Sequence, residues 1–207
     1  MKKILLPLFI TIFILTSAVI LTLNFRPLYY HDMTALKIEQ TSGFSKKIIY
    51  ENYNALINYN SIFQRGDLSL TLPMSEEGKI HFMEVKRIFD VIQLLCPLSF
   101  AAALFLGLSE LKKKQYHFFK TSAITTVLLP AVCGIFAALD WERTFTVFHQ
   151  IMFRNDYWLF DETLDPVITI LPDEFFFHCV FMILLIVFFE TLLCLGFHAF
   201  FHRRFML

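Results

Sequence analysis

The chain has 207 residues, of which 57% are hydrophobic and only 17% charged, with a mean hydropathy of +0.59. Soluble domains run at about 45–50% apolar and about 25% charged, so a soluble Rossmann or TIM-barrel enzyme fits poorly, as do a disordered chain and a disulfide-rich secreted module. Lys+Arg and Asp+Glu balance at 18 each, which gives no basic excess for a nucleic-acid partner. The 26 phenylalanines set against 6 glycines point to bulky packing in lipid. Composition alone therefore predicts an integral membrane protein.

Crossing about 30 Å of hydrocarbon takes roughly 17–25 apolar residues, and a backbone in lipid must satisfy its own hydrogen bonds, which favours helices. In chain order, residues 1–23 carry a first span from about Ile4, opened by Lys2-Lys3. Residues 24–88 form a long extracytoplasmic segment, and 89–108 a second span. Residues 109–121 make a basic loop, 122–139 a third span, and 140–174 a second extracytoplasmic, interfacial segment. Residues 175–207 hold a fourth span and the C-terminus. Thr16-Ser17-Ala18 has the look of a cleavage site, but three later spans favour retention of the first one.

The orientation follows from the basic residues. Lys2, Lys3, Lys112, Lys113, Lys114, Lys120, Arg203 and Arg204 fall on one side with Glu110 as the only nearby acid, so this side is read as cytoplasmic. Residues 140–174 carry Arg143 and Arg154 against eight acidic residues and are read as outside. Cys96, Cys133, Cys179 and Cys194 all lie in spans, with no CxxC motif, and read as packing residues. The expected fold is thus an α-helical integral membrane protein, four transmembrane helices with a small mixed extracytoplasmic domain. In that domain, 44–63 has helical periodicity. Leu68-Ser69-Leu70-Thr71-Leu72 alternates with period two as a short strand would. With little core of its own, the long segment is expected to lean on the bilayer and on the second outer segment.

Two histidines stand near the outer boundary. His81 precedes the second span, and Glu84, three residues on, shares its helical face, placed to fix an imidazole tautomer. His149 follows Trp141, Phe145 and Phe148, which with Met152 repeat at near-helical spacing. Both also fit an ordinary interfacial role, with Trp141, Tyr157 and Trp158 as an aromatic belt. His178, at the outer end of the fourth span, and Glu190, inside it, are further ionisable candidates. His31 and His117 have no informative neighbours, and His198 and His202 read as an anchoring rim. No GxSxG elbow, HExxH pair or GxxxxGK[ST] loop is present. Residue pattern alone leaves three readings open: an acid–base enzyme, a metal-dependent membrane hydrolase using His81, Glu84 and His149, and a non-enzymatic membrane scaffold.

The stretch from Phe148-His149-Gln150 through Arg154-Asn155-Asp156-Tyr157-Trp158, continued by Leu164-Asp165-Pro166 and Leu171-Pro172-Asp173-Glu174-Phe175-Phe176, resembles the lipoprotein intramolecular transacylase (Lit) family of low-GC Gram-positive bacteria. The segment His81-x-x-Glu84-Val85-Lys86 resembles that family's second motif, with Glu84 where Asp is usual, one methylene longer. The resemblance implies an acyltransferase of the bacterial cytoplasmic membrane, with its active site at the extracytoplasmic face. Its substrate would be a diacylglyceryl lipoprotein, whose sn-2 acyl chain moves to the α-amino group of the N-terminal cysteine to leave the lyso-form. It implies His81 and His149 as catalytic residues, with Glu84, Arg154, Asn155, Asp156 and Trp158 as supporting, oxyanion or substrate-binding residues. No metal and no cofactor is called for; the partners are membrane lipid and the lipoprotein, and the oligomeric state stays open. Which histidine is the base, and whether the acyl chain passes through the enzyme, also stay open.

Overall fold

The computed structural model describes residues 2–205. The expectations for Met1 and for residues 206–207 lie outside the described residues, as do those for the side chains of Lys2, Lys3 and Phe205. Eight α-helices follow in order: α1 (Lys2–Asn24), α2 (Arg26–Ala35), α3 (Ile38–Ser42), α4 (Lys46–Tyr59), α5 (Glu76–Lys112), α6 (His117–Leu139), α7 (Trp141–Met152) and α8 (Asp173–Phe205). A 3₁₀ turn at Pro166–Ile170 precedes α8. Among the described residues, four helices, α1, α5, α6 and α8, are long and apolar enough to cross a membrane. At 1.5 Å per residue, the 37 residues of α5 reach about 55 Å, well beyond the hydrocarbon thickness. The charged turns 76–88 therefore precede the apolar stretch that begins at Phe89.

The expected mixed domain is corrected: among the described residues there is no strand. Leu68–Leu72 is irregular because an asparagine side chain takes the place of a partner strand. Asn52, fully buried on α4, accepts from the N–H groups of Thr71 (2.9 Å) and Leu72 (3.2 Å). Its Nδ2 donates to Thr71 Oγ1 at 2.6 Å and to Ile48 O at 2.8 Å. The alternation still does its packing job, since Leu72 is buried and Leu68 and Leu70 pack against the same core.

The chain divides into two compact units. One contains the residues up to Thr22, Ile92–Phe136 and those from Phe181 onward. Its buried apolar core is small (Ile14, Ala18, Ala123, Val187 and Cys194), while Leu104, Phe105, Leu128 and Phe189 point outward. Outward apolar side chains are what lipid as solvent demands. Hydroxyls join α1 to α6, with Thr11 Oγ1 lying 2.8 Å from Thr125 Oγ1 and 3.1 Å from Thr126 Oγ1.

The other unit, Leu23–Val91 and Ala137–Val180, has a core like that of a water-soluble domain. Tyr29 (α2) and Tyr53 (α4) stack at 3.6 Å, with Phe175 edge-on to Tyr29 at 5.1 Å. Val167, Ile170 and Leu171 fill in from the segment 140–174, and Tyr29 donates its hydroxyl to Ile170 O at 2.7 Å. Residues 24–88 thus gain their core by packing with 140–174. Both candidate histidines belong to this unit.

Candidate active site

His149 lies in the last turn of α7, which begins where Asp140 caps it by accepting from Arg143 N at 3.0 Å. The apolar face of this helix turns the imidazole inward, where it is buried. Nδ1 of His149 is 2.8 Å from Phe145 O. A carbonyl only accepts, so Nδ1 carries the proton and Nε2 of the neutral ring keeps its lone pair. His81 lies on α5, also buried, and the two imidazole centroids are 6.0 Å apart. Nδ1 of His81 is sealed from solvent and has no hydrogen-bond partner among the described residues. Phe153 meets His81 edge-on at 4.7 Å and Phe160 at 5.4 Å, and Trp158 lies 4.9 Å from His149.

An apolar wall disfavours charge on both rings. Burial, reinforced by the neighbouring His149, brings His81 down from 6.5 to about 4. Burial also lowers His149, opposed by its bond to the Phe145 carbonyl and by the Asp173 carboxylate. Both imidazoles are therefore neutral near pH 7 and able to accept a proton.

The supporting residues divide. Glu84 does not hold the imidazole of His81, the role that helical spacing suggested. Its carboxylate accepts from Asn155 Nδ2, at 3.0 and 3.2 Å to its two oxygens. Asn155 is a hub: Oδ1 accepts from Tyr157 N at 3.1 Å, and its main-chain oxygen accepts from Trp158 Nε1 at 3.1 Å. With Nδ2 given to Glu84, Asn155 serves the loop and places the indole against His149. Arg154 and Asp156 are exposed. Among the described residues no three His, Cys, Asp or Glu side chains converge as a metal site requires.

Several contributors had no signature in the sequence pattern. Phe145 acts through its carbonyl, and Phe153 and Phe160 through ring packing. Elsewhere in the same unit, Asp32, buried to 1% exposure, accepts from His178 Nδ1 at 2.8 Å, with His31 Nδ1 at 3.4 Å from its other oxygen. That pairing spans 146 residues, too far for any local pattern. Asp173 could have been noticed as an acid in the first turn of α8.

Four helices of membrane-spanning length and apolarity define the class: an α-helical, membrane-integral protein, here with a buried pair of imidazoles. The family model for the lipoprotein intramolecular transacylase Lit matches residues 4–176. The chain belongs to this family, and it is an acyltransferase. It is similar to the in meso structure of the membrane integral lipoprotein intramolecular transacylase Lit from Bacillus cereus, with a TM-score of 0.96 and 34% identity, covering 98% of this chain and 95% of that one. Structures of the same Bacillus cereus protein with one histidine replaced by arginine or by alanine match at 33% identity. Their TM-scores are 0.89 and 0.90, covering 98% of this chain and 91% and 93% of theirs. Among curated protein sequences, none matches.

Proposed function

We propose that the enzyme moves the sn-2 acyl chain of an S-diacylglyceryl-cysteine lipoprotein to that cysteine's α-amino group, giving the lyso-form, with His81 and His149 as the reacting pair. The observation that carries this reading is the pair itself: two neutral imidazoles 6.0 Å apart between centroids, one of them locked with Nδ1–H on a carbonyl. An α-ammonium has a pKa of about 7.7–8.0 and must lose a proton before it attacks. Nε2 of His149 is the base that takes that proton. The amine nitrogen then bonds to the ester carbonyl carbon. As the carbon–oxygen bond to the glyceryl group breaks, a proton passes from imidazolium to the departing oxygen. In becoming an amide the nitrogen gives up two protons in all: one reaches the departing sn-2 oxygen by way of His149, and the other is released to solvent, leaving an amide and a free hydroxyl.

His81, facing His149 from α5, polarises the ester carbonyl while its N–H points at the developing oxyanion, a contribution of a few kcal/mol in comparable sites (about 3). Asn155, Glu84 and Trp158 hold the loop against the pair, and exposed Arg154 and Asp156 face the substrate's peptide. Because donor and acceptor share one molecule, holding them at attack distance lowers much of the barrier. The basic cytoplasmic rim supports a multi-pass enzyme of the bacterial cytoplasmic membrane, working at the outer face where mature lipoproteins are tethered. Expression in a host with diacylated lipoproteins tests this, with mass mapping of an N-terminal lipopeptide. One acyl chain is expected to shift from glycerol to amine. An unchanged diacylglyceryl peptide would refute the reaction.

A further inference from the structure

The two imidazoles are held by different means. His149 has its own hydrogen bond to Phe145 O at 2.8 Å. His81 has no such bond at its buried Nδ1, so its ring sits where its helix and the surrounding rings put it. Whatever fixes the start of α5 therefore fixes His81.

Ser75 immediately precedes α5 and caps it. Its Oγ accepts from Gly78 N at 2.9 Å, and its carbonyl accepts from Lys79 N at 3.1 Å. Ser75 is in turn gripped by Asp165, ninety residues on. The Ser75 N–H donates to Asp165 Oδ1 and the Ser75 hydroxyl to Oδ2, each at 2.7 Å. Asp165 is only 3% exposed, and a buried carboxylate persists only where donors meet it. Gly78 makes the approach possible. A Cβ there would overlap Asp165 Oδ1 and stand 3.1 Å from both Asp165 Cγ and Phe160 Cε1. Phe160 goes on to cover His81 and stacks on Phe82 at 5.4 Å. One notch thus seats the carboxylate and the ring that walls in the imidazole. Two turns later, Asn155 ties the same loop to Glu84, so α5 is gripped at two levels on either side of His81.

We propose that Asp165 is a positioning residue for the acyl transfer, clamping Ser75 at the start of α5 so that the His81 imidazole stands opposite His149. This rests on the acyl-transfer reading above. The test uses the full chain in proteoliposomes with a synthetic diacylglyceryl-cysteine lipopeptide, and compares Asp165→Ala, Asp165→Asn and Gly78→Ala. Misplacing a reacting group by about 1 Å costs up to about 100-fold. For Asp165→Ala, kcat is expected to fall by about 10-fold to 100-fold with KM within about twofold. Asp165→Asn keeps an acceptor for the Ser75 N–H and is expected to recover most of the rate. Gly78→Ala should reproduce the loss without removing a polar group. Histidine-labelled NMR gives a readout independent of turnover: in Asp165→Ala the titration of His81 should move upward while that of His149 stays. A kcat within twofold of wild type, or a loss that merely tracks the unfolded fraction with His81 unmoved, would overturn the clamp. If wild type fails to convert the lipopeptide, the acyl-transfer reading fails, and the His81 titration alone still decides the positioning role.

Discussion

The two compact units solve packing under opposite solvents. In the unit made of the span interiors, large apolar side chains face outward and the largest buried apolar cluster among the described residues has five members, because lipid gives helices no hydrophobic reason to associate. Its polar side chains mostly bond their own helix, as Thr16 does to Ile12 O and Ser122 to Phe118 O. The unit with the histidines buries a cluster of thirteen apolar residues, a stacked tyrosine pair among them. Its polar side chains reach far along the chain, Asn155 to Glu84 and Asp165 to Ser75. The difference teaches where precision resides. A densely hydrogen-bonded unit holds the imidazoles, and the other turns its large apolar side chains outward.

The largest expected effect of disturbing that division falls on the imidazoles. His149→Ala and His81→Ala should each lower lipopeptide conversion by about 100-fold or more, the usual worth of a positioned acid–base group. Steady-state rates in proteoliposomes check this. Asn155→Ala comes next. It removes charge-assisted bonds to Glu84, worth about 1.5–3 kcal/mol, and should cost roughly tenfold in kcat. Glu84→Gln, which keeps an acceptor for Asn155, should lose less.

The pH dependence sharpens the same comparison. Both imidazoles have folded pKa values below 6.5, His81 near 4, so the folded state binds fewer protons than the unfolded one between those values. Their contribution to stability is full above about 6.5 and is lost as pH falls toward the folded values. A pH–rate profile should therefore decline through the substrate amine's range near 8, with a second break only below 6.5. A break at 6.5 would mean ordinary, solvated imidazoles.

The smallest effects separate the units by stability. Tyr29→Phe strands a buried carbonyl at Ile170 and should cost about 1–3 kcal/mol. Thr126→Val removes one interhelical hydroxyl contact and should cost about 0.6 kcal/mol. Reversible unfolding in mild detergent measures both.

The spans, α4 and α7 were legible because 20-residue apolar runs and the 3.6-residue period are local signals. The same local signals put His81 and His149 on helices beside the apolar runs, but left their role open. The strand at Leu68–Leu72 misled because alternation reports burial of every second residue, and Asn52 satisfies the backbone without a sheet. Glu84 misled because helical adjacency to His81 says nothing about Asn155, 71 residues away. The Asp32–His178 and Asp165–Ser75 pairs had no local trace, since each joins segments that meet only in the folded chain.

The pair's role is tested most directly with a lipopeptide carrying an isotope-labelled sn-2 acyl chain, incubated with purified wild type, His81→Ala and His149→Ala and mapped by mass. Wild type is expected to place the label on the cysteine nitrogen, and each variant to leave it on glycerol. Full transfer of the label by either folded variant would contradict a paired-histidine transacylase.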